Sequence, residues 1–233
     1  MAVSTGACLI CGNELNYETS AKNMICACCG GEFTGNISCP QDHFVCDACH
    51  SKDSLAKIKN TLESVGKTTN PFVVMDALMD QPETNIHGPE HHALVPIALL
   101  AAYSNATASP FDLEGAIDEA LKRGSQVPGG ICGFWGSCGA AIGVGIAHSI
   151  VLGASPLKAE YYSEVNEATA RCLMRISEVG GPRCCKRNSY LCLAEAVVSL
   201  KELTDVALDS GEAPSCKYRA RNKECITQEC PYF

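Results

Sequence analysis

Residues 124–157 read GSQVPGGICGFWGSCGAAIGVGIAHSIVLGASPL and contain no Asp, Glu, Lys or Arg. An uncharged run of this length is long enough to cross a bilayer. Its composition argues otherwise. Pro128, Gly129, Gly130, Cys132, Cys138 and His148 interrupt it, and no basic cluster flanks it closely. The reading that remains is a buried, close-packed central helix, in which Gly136, Gly139 and Gly143 let another backbone or a ligand come near. This sets the expected fold class: mostly α, with no membrane association.

The segments on either side carry helical signals. Leu55, Ile58, Leu62 and Val65 recur at helical spacing and Gly66–Pro71 breaks the pattern, so a linker helix is expected within residues 51–70. A short helix is expected over 71–79, and a longer one from Pro89 to about Tyr103, kinked or restarted at Pro96. Ser109-Pro110 and Ser155-Pro156 each read as an N-cap followed by a first-turn proline. Gly124 closes the first of these helices. The second carries Leu157, Tyr161, Val165, Ala168, Cys172, Ile176 and Val179 at steps of three and four, and Gly180-Gly181 ends it. A last helix is expected from Asn188 to about Leu208. No stretch beyond the first fifty residues alternates well enough for a strand.

The chain has 233 residues, 46% of them hydrophobic, enough for a real core. A net charge of -8 argues against a nucleic-acid partner, because neutralising phosphates needs a basic surface. The unusual number is 17 cysteines. The opening MAVSTGACLICG has neither a basic nor an apolar leader segment, the count is odd, and C-x2-C pairs recur. A cytoplasmic setting and metal ligation are therefore expected ahead of disulfides. Eight cysteines fall in residues 8–49, none between Cys49 and Cys132, and nine from Cys132 to Cys230. The expected organisation is a double zinc-binding module over 1–50, the linker helix over 51–70, and a cysteine-rich helical domain over 71–233.

In the module, Cys8-x2-Cys11-Gly, Cys26-x2-Cys29-Gly, Cys39-x3-His43 and Cys46-x2-Cys49 make four pairs, eight ligands and two tetrahedral zinc sites. The glycines after Cys11 and Cys29 fit the positive φ that such a knuckle needs. A cross-brace would put Cys8, Cys11, Cys39 and His43 on one ion and Cys26, Cys29, Cys46 and Cys49 on the other; a sequential pairing is the rival. Cys28 and His50 are spare. Closed sites of this kind hold up a module too small for its own core, so its expected role is to dock a protein partner.

Outside the module, Cys216, Cys225 and Cys230-Pro231 stand in a tail without apolar periodicity. Cys-Pro endings occur in iron–sulfur ligand runs. A [4Fe-4S] cluster is expected there, with a fourth ligand elsewhere or an open iron facing the Gly130–Gly139 segment; a third zinc and a disulfide are the alternatives. Arg183, Lys186 and Arg187 flank Cys184-Cys185 at a helix start, where positive charge and the helix dipole favour thiolate, so one of the pair is a ligand or a reactive thiol. Cys132 and Cys138, in the glycine-rich stretch 130–139, have open N–H groups near them for a ligand or cluster sulfur, against small residues at a tight crossing as the plainer explanation. His87 and His91 stand round Glu90 before an apolar helix and suit proton transfer, or simply a polar first turn. Cys172, Cys192 and His148 read as core.

Taken together, CLICGNEL, CACCGGEF, HFVCDACH, HGPEHH, GGICGFWGSCGAAIG, GGPRCCKR and NKECITQECPYF resemble an uncharacterised family of anaerobic archaea and bacteria, a domain of unknown function. The resemblance spans nearly the whole chain and implies an anaerobic, cytoplasmic setting. Separately, GSCGAAIGVGIAHSIVLG is similar to one helix of a family of cysteine-rich helical proteins to which redox activity is attributed; that match is short. The expected function is an iron–sulfur protein in a redox or sulfur-transfer role, acting on a small anionic or sulfur-containing substrate. An all-zinc structural adaptor without catalysis is the alternative.

Overall fold

The computed structural model describes residues 7–233. A two-stranded antiparallel hairpin, β1 (Asn16–Ile25) and β2 (Glu32–Ser38), is followed only by helices. These are α1 (Asp47–Ala56), α2 (Ile58–Val65), α3 (Pro71–Met79), α4 (Glu90–Ala106), α5 (Leu113–Gly124), α6 (Ile131–Phe134), α7 (Gly139–Leu152), α8 (Tyr162–Val179) and α9 (Cys185–Thr204). The fold is mostly α with a small cysteine-rich module at its N-terminal side. No helix among the described residues is long and apolar enough to cross a membrane.

The core forms round α4, which is buried without a break from Glu90 to Ala102. A helix apolar on every side has no solvent face, and α3, α5, α7 and α9 surround it. Pro96 sits inside α4 and does not end it. The uncharged run supplies α7, which lies between α4 and α8. Its glycines set those distances. A Cβ at Gly143 would meet Pro96 Cδ at 2.9 Å and the His92 carbonyl at 3.1 Å; one at Gly139 would meet the His92 ring at 2.0 Å. Gly136 instead holds a left-handed turn (φ 67°) with open space around it.

Several helix starts differ from the sequence reading, each for a local reason. The linker is two helices, broken at Lys57, and the first begins at Asp47, directly after Cys46. Asp112, not Ser109, caps α5, its carboxylate accepting from Gly115 N at 3.1 Å. Ser155-Pro156 starts no helix: α8 begins at Tyr162, and Leu157 is 98% exposed. α9 begins three residues before the expected Asn188 and stops at Thr204. Asn70 and Pro71 open α3 as their types suggest, the amide oxygen accepting from Phe72 N and Val73 N.

Cys172 and Cys192 are fully buried where α8 meets α9, and His148 is fully buried with Nδ1 on the Val144 carbonyl and Nε2 on Ser199 Oγ, each at 2.9 Å. Burial holds His148 neutral, its pKa lowered to about 4.

Two outcomes follow for stability. Gly143→Ala costs about 1–3 kcal/mol in denaturant unfolding, through overpacking against Pro96, while Leu157→Ser leaves the midpoint unchanged. Because His148 protonates at pH 6.5 unfolded but near 4 folded, its contribution is fully present above pH 6.5 and is lost as pH falls through 4. The stability difference between the native chain and His148→Leu should therefore shift by about 3 kcal/mol across that window; a flat difference would contradict the assignment.

Candidate metal centres

Both C-x2-C-Gly motifs fold as the same knuckle. Gly12 N donates to the Cys8 carbonyl at 2.8 Å and Gly30 N to the Cys26 carbonyl at 2.9 Å, with φ of 75° and 71° at the two glycines. The second knuckle is the turn between β1 and β2. Cys39 and His43 share a tight turn after β2, and Cys46 is the N-cap of α1 with Cys49 in its first turn.

These four local units meet crosswise. The ligand atoms of Cys8, Cys11, Cys39 and His43 all lie within 4.8 Å of one another, and so do those of Cys26, Cys29, Cys46 and Cys49. Cys11 Sγ is 3.7 Å from Cys39 Sγ, Cys39 Sγ 3.5 Å from His43 Nδ1, and Cys29 Sγ 3.9 Å from Cys46 Sγ. A tetrahedral ion with ~2.3 Å metal–sulfur bonds needs ligand edges of ~3.8 Å. Two such sites can hold metal ions such as zinc. Burial opposes the Cys26 and Cys39 thiolates, but backbone N–H groups outweigh it, those of Cys46, Cys29 and Cys28 on Cys26 and those of Gln41 and His43 on Cys39. The two pKa values fall to about 6 and about 7. Cys28 is exposed and belongs to neither site.

The module rests on the helical body. Asp47 Oδ2 accepts from Gly129 N at 2.7 Å, Tyr17 lies under the Arg183 guanidinium at 4.8 Å, and the spare His50 reaches Glu90 Oε2 at 3.3 Å. Glu90 is 1% exposed. Burial alone would raise its pKa; the adjoining His50 and His91 side chains bring it down to about 2. Gly88 is required there, because a Cβ would meet the Glu90 carboxylate at 2.0 Å.

The second thiol region is a cleft between the start of α9 and the tail. Cys216, Cys225 and Cys230 line it, and with them Cys184, Lys186 and Arg187. The space left free inside it is small, about 20 Å³. Cys184 Sγ accepts from Arg187 N at 3.4 Å and from Asn222 Nδ2 at 3.6 Å; burial still pushes its thiol up. Burial also dominates at Cys216, against N–H groups of Tyr218 and Arg219 aimed at its sulfur. Among the described residues, no group of three or more ligand atoms beyond those of the module approaches within 4.8 Å, so these thiols are not drawn together as they are in the module. The Lys186 ammonium is 1% exposed, lies over the Tyr218 ring at 4.9 Å and has no hydrogen-bond acceptor. Burial lowers its pKa to about 8.

The remaining expected residues lie elsewhere. Neither Cys132 nor Cys138 is among the residues that line the cleft. Cys138 caps α7 and accepts from Asn188 Nδ2 at 3.4 Å. Thiolate is not favoured at the basic pair. Burial pushes the Cys185 thiol up to about 12 against the Gly88 N–H and the Arg183 charge. The Arg187 guanidinium is taken by the Gly180 and Pro182 carbonyls at 2.7 and 2.9 Å. His87 contacts Asn222 Oδ1 through Nε2 at 2.9 Å, and His91 contacts the Gly88 carbonyl through Nδ1 at 3.1 Å. Their other ring nitrogens are buried and unpartnered, and burial lowers both pKa values. They are placed as neutral bases rather than as proton donors. Asn222 escaped the sequence reading, and Lys186 entered it only as one of the cations flanking the cysteine pair, with nothing to show its burial.

A cysteine-rich helical protein with two crosswise ligand groups that can each hold a metal ion is thus the class that fold and sites define. The chain belongs to a family of unknown function, DUF5714, whose model matches residues 58–233. No curated protein and no solved structure matches it.

The crosswise pairing predicts a pattern of metal loss. The full chain should carry about two zinc ions, on tetrahedral-site arithmetic. Cys8→Ser and Cys39→Ser should each lose one, and the double variant should lose that same one. A double variant that loses both ions would show a sequential pairing instead.

Proposed function

We propose that this protein is an iron–sulfur protein with a redox role, its cluster held by Cys216, Cys225 and Cys230 and its zinc module serving as a structural and docking part. One observation carries the reading. Three thiols from a tail without regular secondary structure converge on one cleft beside a buried ammonium that lacks a hydrogen-bond acceptor, yet are not gathered at single-ion spacing. A cluster places iron and sulfide between its thiolates, so it holds them further apart than one zinc ion does. A thiolate-ligated cluster is an anion, which suits a wall containing Lys186, Arg187 and Arg219.

Sulfur transfer is the neighbouring reading, and it requires an iron open to a small sulfur-containing or anionic substrate. The docking role of the module is supported by the exposed side chains of Leu9, Ile10, Ile25 and Phe33, which fit a protein partner.

Protein purified and reconstituted without oxygen should be brown, with broad visible absorbance that bleaches in air. A chain ending before Cys216 should be colourless while keeping its two zinc ions. Full-length protein that stays colourless, with zinc in every cysteine site, would favour the all-zinc adaptor.

A further inference from the structure

The geometry points to Cys184 as the fourth thiolate of this cluster, which makes it coordinatively closed and an electron carrier rather than a site where substrate binds to iron. This rests on the cluster reading above and deepens it.

Cys184 comes from a different part of the chain than the other three ligands, yet it lines the same cleft. Its neighbour Cys185 is not among the cleft residues. The difference follows from the start of α9. Cys184 is the N-cap, in an extended conformation (φ -147°, ψ 105°), and Cys185 is the first helical residue, so the two side chains leave the backbone in different directions. The sulfur of Cys184 is met by two donors suited to a thiolate: Arg187 N at 3.4 Å and Asn222 Nδ2 at 3.6 Å. Buried with a proton, that sulfur would face donors it has little use for. As a cluster thiolate it uses both of them, together with the positive end of the α9 dipole.

Asn222 ties the arrangement to the tail. Its amide donates to Cys184 Sγ, and its carbonyl oxygen receives His87 Nε2 at 2.9 Å and Glu224 N at 3.1 Å, three residues before Cys225. Lys186 completes the wall. Its ammonium is buried with no hydrogen-bond acceptor and is supported chiefly by the Glu90 charge, and a cluster would place a second anion beside it. Cations and N–H donors around the sulfurs favour the reduced, more negative state of the cluster and so raise its potential. Four thiolates satisfy a cubane cluster, so no iron is left for a substrate.

The test uses the full chain, prepared anaerobically, with iron and sulfide analysis and electron paramagnetic resonance in both oxidation states. Cys185→Ser should keep the native iron content and spectrum. Cys184→Ala should lose at least one iron in four, either as a three-iron cluster with its own signal in the oxidised state or as complete loss, while both zinc ions remain. Cyanide probes the native protein directly and needs no variant. It should leave the reduced spectrum unchanged, because there is no open iron to bind it. Native iron content and spectrum in Cys184→Ala, or a cyanide-shifted spectrum in the native protein, would overturn the inference while leaving the cluster standing. Absence of iron from the native protein would overturn both.

Discussion

A lysine ammonium shut away from water without a hydrogen-bond acceptor is the constraint round which the start of α9 and the tail are arranged. Lys186 is 1% exposed, and burial lowers its pKa only to about 8. A protein seldom retains such a group unless something anionic lies close by. The Glu90 carboxylate is the charge that chiefly supports it, and the cleft on its other side is lined by thiols and donors: Cys184, Arg187, Asn222 and the tail cysteines. The tail from Val206 onward has no helix longer than a single 3-10 turn, so backbone hydrogen bonding alone does not explain why it packs. It is held by Tyr218 on Asp80 at 2.9 Å, by Tyr232 edge-on to Tyr190 at 5.2 Å, and by Cys216 N on the Tyr232 carbonyl at 2.6 Å. Tyr190 in turn donates to Asp76 at 2.5 Å. These contacts bring three cysteines of an irregular segment to the start of one helix.

The scaffold behind that helix is stiff for a different reason. α4 has no solvent face over its first thirteen residues, and α7 reaches it through glycines whose missing side chains leave no slack. α9 packs on both. The N-terminal module then braces the same region from outside, through Asp47, His50 and Tyr17. His50 adjoins Cys49, so the fold of one metal site sets the position of the side chain that partners Glu90.

Much of this was legible in the sequence, and what was not has physical causes. The eight module ligands stand at local spacings, and local spacing is what a knuckle reads. Of the uncharged run, only α7 is a buried helix; the residues before it form a loop and the short α6, with Trp135 exposed, and Leu157 after it is exposed. Helix starts at 109 and 155 were misplaced because a serine before a proline is also a turn, and Asp112 offered the α5 backbone a better cap. Cations flanking Cys184-Cys185 suggested a lowered pKa, but sequence does not show burial, and burial wins at both thiols. The meeting of Cys184 with cysteines 32 to 46 residues away is a tertiary contact that no spacing encodes.

X-ray absorption at the iron and zinc edges of one anaerobic sample of the full chain tests the central claim most directly. The account predicts zinc surrounded by thiolate sulfur and a minority of imidazole nitrogen with no metal neighbour, and iron surrounded by four sulfurs with iron as its next neighbour. Zinc at every cysteine site with no iron above background would contradict it.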